Sequence, residues 1–179
     1  MGTVKPTRIV ADPSAPGSQR PTVLTAPNGI PLVNIQTPSA AGVSRNRYGQ
    51  FDVGRDGVIL NNSRTEARTQ LGGWVAGNPW MGKSEARVIL NEVNSSAPSQ
   101  LNGFVEVAGR RAEVIIANPA GIQVDGGGFI NASSATLTTG TPRLDAAGHV
   151  RGFAVQGGLI RIDGTGLDGS STDYTALLS

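Results

Sequence analysis

Apolar residues in this chain come in short bursts rather than long periods. Residues 111–131 read RAEVIIANPAGIQVDGGGFIN, with bursts at 114–116, 122–124 and 129–130, and Leu137 follows. The bursts recur at roughly seven-residue intervals. A helix can carry such a repeat, but not with Pro119 and the three successive glycines 126–128 inside it. Very short strands joined by tight turns satisfy the pattern. Three such strands per turn, stacked turn upon turn, predict a parallel β-helix.

The rest of the chain extends this reading. Residues 1–27 hold Pro6, Pro13, Pro16, Pro21 and Pro27, and predict an extended or disordered leader. Ordered structure is expected from residue 28, with 28–179 as one domain. Ile30, Leu32, Val33 and Ile35 suggest a strand that Pro31 confines to an edge or cap. Residues 48–53 and 57–60 are two further strands around the turn Arg55-Asp56-Gly57. The stretch 64–74 is the least β-like, and 86–93 is a strong strand. Residues 104–107 and 112–116 predict a hairpin outside the coil, turning at Ala108-Gly109-Arg110-Arg111. Short strands resume at 122, and Ile115 and Ile160 are expected in the coil interior. A solenoid exposes unpaired edges unless its ends are covered. The first strands are therefore expected to cap the coil, and the chain is read as the N-terminal piece of a longer protein.

Composition narrows the class to all-β. Among 179 residues there are 25 Gly and 11 Pro, with only 4% aromatic and 16% charged, a turn-rich and weakly charged profile. The absence of Cys suits passage through an oxidising periplasm. A net charge of +2 makes no electrostatic case for nucleic acid. No apolar run approaches the roughly 18 residues of a membrane helix. The N-terminus has no apolar core segment, so no signal peptide is predicted, and the chain is read as a mature form given a new start Met.

Catalytic signals are sparse. The only His, His149, sits in the turn-like Ala147-Gly148-His149, and GxSxG does not occur. There is no Cys/His cluster for zinc, and residues 126–128 lack the GGxGxD spacing of calcium-binding β-rolls. Gly164-Thr165-Gly166-Leu167-Asp168-Gly169 matches GxGxxG but has no βαβ unit around it, and reads as a coil turn. Glu106 and Glu113 across the expected hairpin, or Asp163 and Asp168 around a turn, are the candidates for acid and base in a polysaccharide-cleaving β-helix. Solvated strand ends are the plainer reading of all four, and Arg110-Arg111 reads as a charged turn. No catalytic, cofactor-binding or metal-binding residue is predicted. A carbohydrate-binding or polysaccharide-cleaving β-helix is the alternative, with Trp74 and Trp80 as its aromatic residues.

Six stretches occur in order: PLVNIQTPSAAGVSRNRYGQFDV (31–53), GVILNNS (57–63), QLGGWVAGNPWM (70–81), ARVILNEVNSSAPSQLNGFVEVAGRRAEVIIANPAGIQVDGGGFINAS (86–133), LTTGTP (137–142) and GGLIRIDGTGLDG (157–169). Together they resemble the two-partner secretion domain that begins filamentous-haemagglutinin-type adhesins and the CdiA exoproteins of contact-dependent growth inhibition. The resemblance covers residues 28 to about 174. It implies a right-handed β-helix with an N-terminal β-cap and extra-helical hairpins, and no catalysis. It also implies secretion to the bacterial surface or medium via the periplasm, as a monomer. The partner it implies is a cognate outer-membrane TpsB β-barrel transporter with periplasmic POTRA domains.

Two motifs go with secretion in that family, typically Asn-Pro-Asn-Leu and Asn-Pro-Asn-Gly-Ile. Here they read Asn78-Pro79-Trp80-Met81 and Asn118-Pro119-Ala120-Gly121-Ile122. Both keep Asn-Pro, which favours a turn, and both lack the second Asn. The second motif is expected at a coil corner. In the first, Trp80 and Met81 are either an exposed contact for the transporter or residues tucked under a loop.

Overall fold

The computed structural model describes residues 5–179. Two strands come first, β1 (Arg8–Ala11) and β2 (Thr22–Thr25). The chain then winds through a series of coils. The first holds β3 (Pro31–Asn34) and β4 (Val43–Asp52). The second holds β5 (Val58–Asn62), an inserted hairpin of β6 (Ala67–Thr69) and β7 (Gly73–Val75), then β8 (Val88–Val93) and β9 (Ser99–Leu101). The third holds β10 (Phe104–Gly109), β11 (Ala112–Ala117) and β12 (Ile122–Val124). The fourth holds β13 (Gly127–Ile130), β14 (Ala132–Thr138), a second inserted hairpin of β15 (Thr141–Leu144) and β16 (Val150–Ala154), then β17 (Ile160–Ile162). β18 (Leu167–Asp168) and β19 (Tyr174–Leu178) follow.

Like strands of successive coils stack into three faces. The first face runs β2-β3-β5-β10-β13-β18, the second β1-β4-β8-β11-β14-β19 and the third β9-β12-β17. Every pairing between coils is parallel, so Val114 lies between Ile89 and Ala135, and Ile122 between Ser99 and Ile160. Only β1 on β4 and β2 on β3 are antiparallel within these faces. The protein is a β-helix whose first coil is capped by the two leading strands.

Those strands occupy a stretch expected to be an extended or disordered leader. Residues 8–25 instead form β1, a 3-10 turn at Gly17–Gln19 and β2; residues 1–4 lie outside the described residues. The prolines do not prevent this, because Pro13, Pro16, Pro21 and Pro27 all fall between strands, where no ladder N–H is needed. Asp12 ties the cap to the second coil. Its carboxylate accepts from the Ser14 hydroxyl (2.7 Å) and amide (2.9 Å) and from Asn94 Nδ2 (3.0 Å). These bonds, the Ser14 hydroxyl foremost, hold its pKa below the ordinary carboxylate value.

The expected hairpin at 104–116 is not one. β10 and β11 lie in different faces, each paired in parallel with its neighbours. Gly109, with φ +81°, leads Arg110 and Arg111 around the corner between them, and Asn62 Nδ2 donates to Arg110 O (2.9 Å). The extra-helical hairpins are β6–β7, in the segment that looks least β-like, and β15–β16.

Inward side chains fill one core that includes Tyr48, Phe51, Ile89, Val93, Ile116, Ile122, Phe129 and Leu137. Burial pushes the Tyr48 phenol pKa up, and its hydroxyl donates to Asn91 Oδ1 (2.9 Å) inside the coil. Two apolar patches also form outside the coil. β6–β7 and its turn lay Val75 and Leu71 over Leu32, Ile59 and Ala108 on the first face. β15–β16 lays Leu144, Val150 and Phe153 over Val43, Leu90 and Ile115 on the second. Ile115 is therefore buried under a hairpin rather than in the interior, whereas the partly buried Ile160 does pack on the core. Strands covered on both faces read as continuous apolar runs, as in 114–117, so alternation cannot sort inside from outside.

The third-to-first corner is the tightest. A Cβ on Gly103 would stand 2.0 Å from Gly54 O in the coil below. Backbone lies on backbone there.

At the tip of β15–β16, Asp145 accepts from the amides of Ala147 (3.0 Å) and His149 (2.9 Å) and pairs with Arg151 Nε (2.8 Å). The His149 amide bond is the main cause of a carboxyl pKa lowered from 3.8 to about 2. A depressed carboxylate lends stability above its ordinary pKa and loses it as pH falls through the folded value. The Ala147 and His149 amide resonances are accordingly expected to titrate with a midpoint near 2 rather than 3.8, observed by NMR. In the core, Ile116→Ala is expected to cost about 3 kcal/mol in urea unfolding.

Candidate functional site

Both Asn-Pro motifs build the same turn. The Asn78 amide donates to Ser63 O (2.8 Å), and its carbonyl accepts from the Met81 amide (3.0 Å). Its side-chain oxygen accepts from the Trp80 amide (3.0 Å), while Nδ2 donates to Ile35 O and Asn61 O (2.9 Å each). Asn118 repeats each part. Its amide donates to Thr138 O (2.9 Å), and its carbonyl accepts from Gly121 (3.0 Å). Its side-chain oxygen accepts from Ala120 (2.9 Å), and Nδ2 donates to Ala97 O (2.9 Å) and Ser99 Oγ (3.0 Å). The Asn side chain thus caps its own turn and stitches it to backbone elsewhere in the coils. Proline follows because φ there is fixed and no amide is required.

This geometry explains the missing second Asn in each motif. Positions 80 and 120 supply only a backbone N–H to the turn, so Trp and Ala serve as well as Asn. Asn78 and Asn118 are buried, Pro79 and Pro119 are exposed, and Ala120 is half-buried. Gly121, at φ +120°, and Ile122 are buried, with Ile122 in the main core. The Trp80-Met81 pair splits: Met81 is wholly buried in that core, and Trp80 is 43% exposed. The two motifs are not brought into one site. Asn78 opens the 3-10 turn Pro79–Met81 on the way to the second face, whereas Asn118 turns the corner from the second face to the third.

Sequence reasoning missed what surrounds the first motif. Residues 63–87 form an excursion between β5 and β8, although the next coils turn the same corner with residues 110–111 and with Asn131 alone. Both tryptophans are on this excursion, Trp74 being 58% exposed. Asn62 closes its far end, accepting from the Ala86 amide (2.8 Å) and donating to the Ala86 carbonyl (2.9 Å). Buried Glu106 accepts from the amides of Gln70 and Leu71 (2.8 Å each) and holds the hairpin tip. The signals were a Glu inside an apolar run and an Asn pair at a strand end. Glu106 therefore does not face Glu113, which lies on the second face and accepts from Ser134 Oγ (3.1 Å) and Tyr174 OH (3.2 Å). Asp163 pairs with Arg161 (2.8 Å), and Asp168 accepts from the Ser170 amide and hydroxyl. Gly164 and Gly166 turn the corner between β17 and β18.

The model of the TPS secretion domain matches residues 7–179. The chain is 60% identical over 171 residues to a toxin CdiA of Yersinia pestis, covering 96% of this chain and 5% of that protein. It is 48% identical over 177 residues to tRNA nuclease CdiA-2 of Burkholderia pseudomallei, covering 98% of this chain and 6% of the relative. The chain thus spans about one-twentieth of these relatives, and the words toxin and nuclease describe them as whole proteins. Among solved structures, a filamentous hemagglutinin secretion domain superposes with a TM-score of 0.85 at 38% identity, covering 94% of this chain and 54% of that one.

Asn78→Ala strips bonds from two buried carbonyls and the Trp80 amide, and Asn118→Ala strips them from the Ala97 carbonyl, the Ser99 hydroxyl and the Ala120 amide; each is expected to cost about 3 kcal/mol. Trp80→Ala, at a largely exposed side chain, is expected to cost about 1 kcal/mol or less. Urea unfolding of the three variants checks the contrast.

Proposed function

The chain belongs to the TPS secretion domain family, and from that premise we propose that it is the secretion module of a large exoprotein, read in the periplasm by a cognate outer-membrane TpsB transporter through POTRA domains. The observation that carries this reading is the family match across residues 7–179 on a β-helix closely superposable on a secretion domain. In this reading the domain is passed to the transporter unfolded, as a monomer, and folds once outside. Each coil then offers its backbone as a template for the next. Capping supports that direction of growth: β1 and β2 pair antiparallel with β4 and β3 and close the first coil.

The proposed secretion residues are Asn78, Pro79, Trp80, Met81, Asn118, Pro119, Ala120, Gly121 and Ile122. In the folded domain the Asn78 and Asn118 amides are fully used. A transporter reads them only before folding, and afterwards their bonds close the turns that make export hard to reverse. Trp80 is the large apolar residue of the motifs that stays accessible in the folded domain, the kind of aromatic anchor that protein partners use. The module performs no chemistry of its own in this reading.

The deciding experiment fuses a signal peptide to residues 1–179 and follows export with and without the transporter. Appearance in the medium only with the transporter is the expected result. Equal export in its absence, or none in its presence, overturns the reading. In the same assay Asn118→Ala is expected to lower export more than Trp74→Ala, since it removes both a recognition residue and a turn.

A further inference from the structure

The β15–β16 hairpin is inserted between the second and third faces of the fourth coil, at residues 139–159. The two preceding coils make that crossing with residues 94–98 and 118–121. The hairpin folds back across the outside of the second face, so that Leu144, Val150 and Phe153 rest on Ala41, Val43, Leu90 and Ile115. Val43, Leu90 and Ile115 lie on β4, β8 and β11, in three different coils. They form a patch only when those strands are in register, with Val43 beside Val88 and Leu90 beside Ile115. The hairpin tip reaches farther back still: a Cβ on Gly148 would meet Ser39 Oγ at 2.6 Å.

We propose that this hairpin is a late-closing strap, which docks after the first three coils have stacked and then locks them. Its platform does not exist until β4, β8 and β11 are aligned. Its contacts to residues 39–43 also close a very long loop, whose entropy is repaid only once the intervening coils are ordered. Contacts absent from the folding transition state slow unfolding without speeding folding. The strap therefore sets how long the folded domain lasts, not how fast it forms. The tip arrives pre-shaped, because Asp145 organises it through local bonds to Ala147, His149 and Arg151. Until residues 141–154 are in place, the patch stays open to solvent and the early coils form reversibly.

Stopped-flow folding and unfolding of the whole chain in denaturant tests it. Phe153→Ala and Leu144→Ala are each expected to accelerate unfolding about tenfold while leaving the folding rate within about twofold. Ile116→Val, inside the stacked coils, is the comparison and is expected to slow folding. If either Ala variant does not fold, Phe153→Leu carries the same measurement. Folding slowed by as much as the lost stability would place the strap in the nucleus and overturn the proposal. So would unchanged rates in both directions, which would mean that the strap holds nothing.

Discussion

A strand of three residues has too few hydrogen bonds and too little apolar surface to persist alone, and several strands of this domain are that short. Those of the coils persist because a parallel strand lies directly above or below, in register, as Ile122–Val124 lies between Ser99–Leu101 and Ile160–Ile162. The rest follows from that rung-on-rung dependence. The first rung has no rung beneath it, so it needs β1 and β2. Inward residues must match in size from coil to coil, because each packs against the one above. Turns must return each strand to the same height, whatever length of chain is inserted between them.

Buried asparagines do at the corners what ladders do along the faces. Asn62, Asn78 and Asn118 are buried, and each donates its side-chain amide to a backbone carbonyl elsewhere in the coils. An unsatisfied buried carbonyl is costly, so a residue with a donor pair and an acceptor on a short arm is favoured there. This makes the Asn-Pro motifs structural whatever else reads them. It also explains why Trp80 and Ala120 are tolerated, since the turn asks only for their amides.

Legibility of the fold varied with local chemistry. The short bursts, the glycines and the Asn-Pro pairs announced a β-helix, because strand length and turn residues are local properties. The two leading strands were not legible, because proline content says where a ladder amide is missing but not whether the ladder runs between prolines. The hairpin expected at residues 104–116 failed for a similar reason: Gly109-Arg110-Arg111 suits a hairpin turn and a coil corner alike, and the choice lies in distant partners such as Asn62. Ile115 was misplaced because hairpins cover the outside of the coil, a fact that no local pattern encodes. Of the motif residues, Asn118 and Ile122 could be placed from sequence. The split of Trp80 from Met81 could not, because it depends on how residues 63–87 settle on the first face.

The three corners of the coil have unequal histories open to them. The first-to-second corner accommodates residues 63–87, and the second-to-third accommodates residues 139–159. At the third-to-first corner of the lower coils bare backbone rests on bare backbone, and a single Cβ at Gly103 would collide with Gly54 O at 2.0 Å. Evolution can therefore elaborate this scaffold along two edges and must leave the third almost untouched. Sequence drift, new loops and grafted peptides are expected to accumulate on the permissive edges. The glycine edge works as a spine, and its residues should be the slowest in the domain to change.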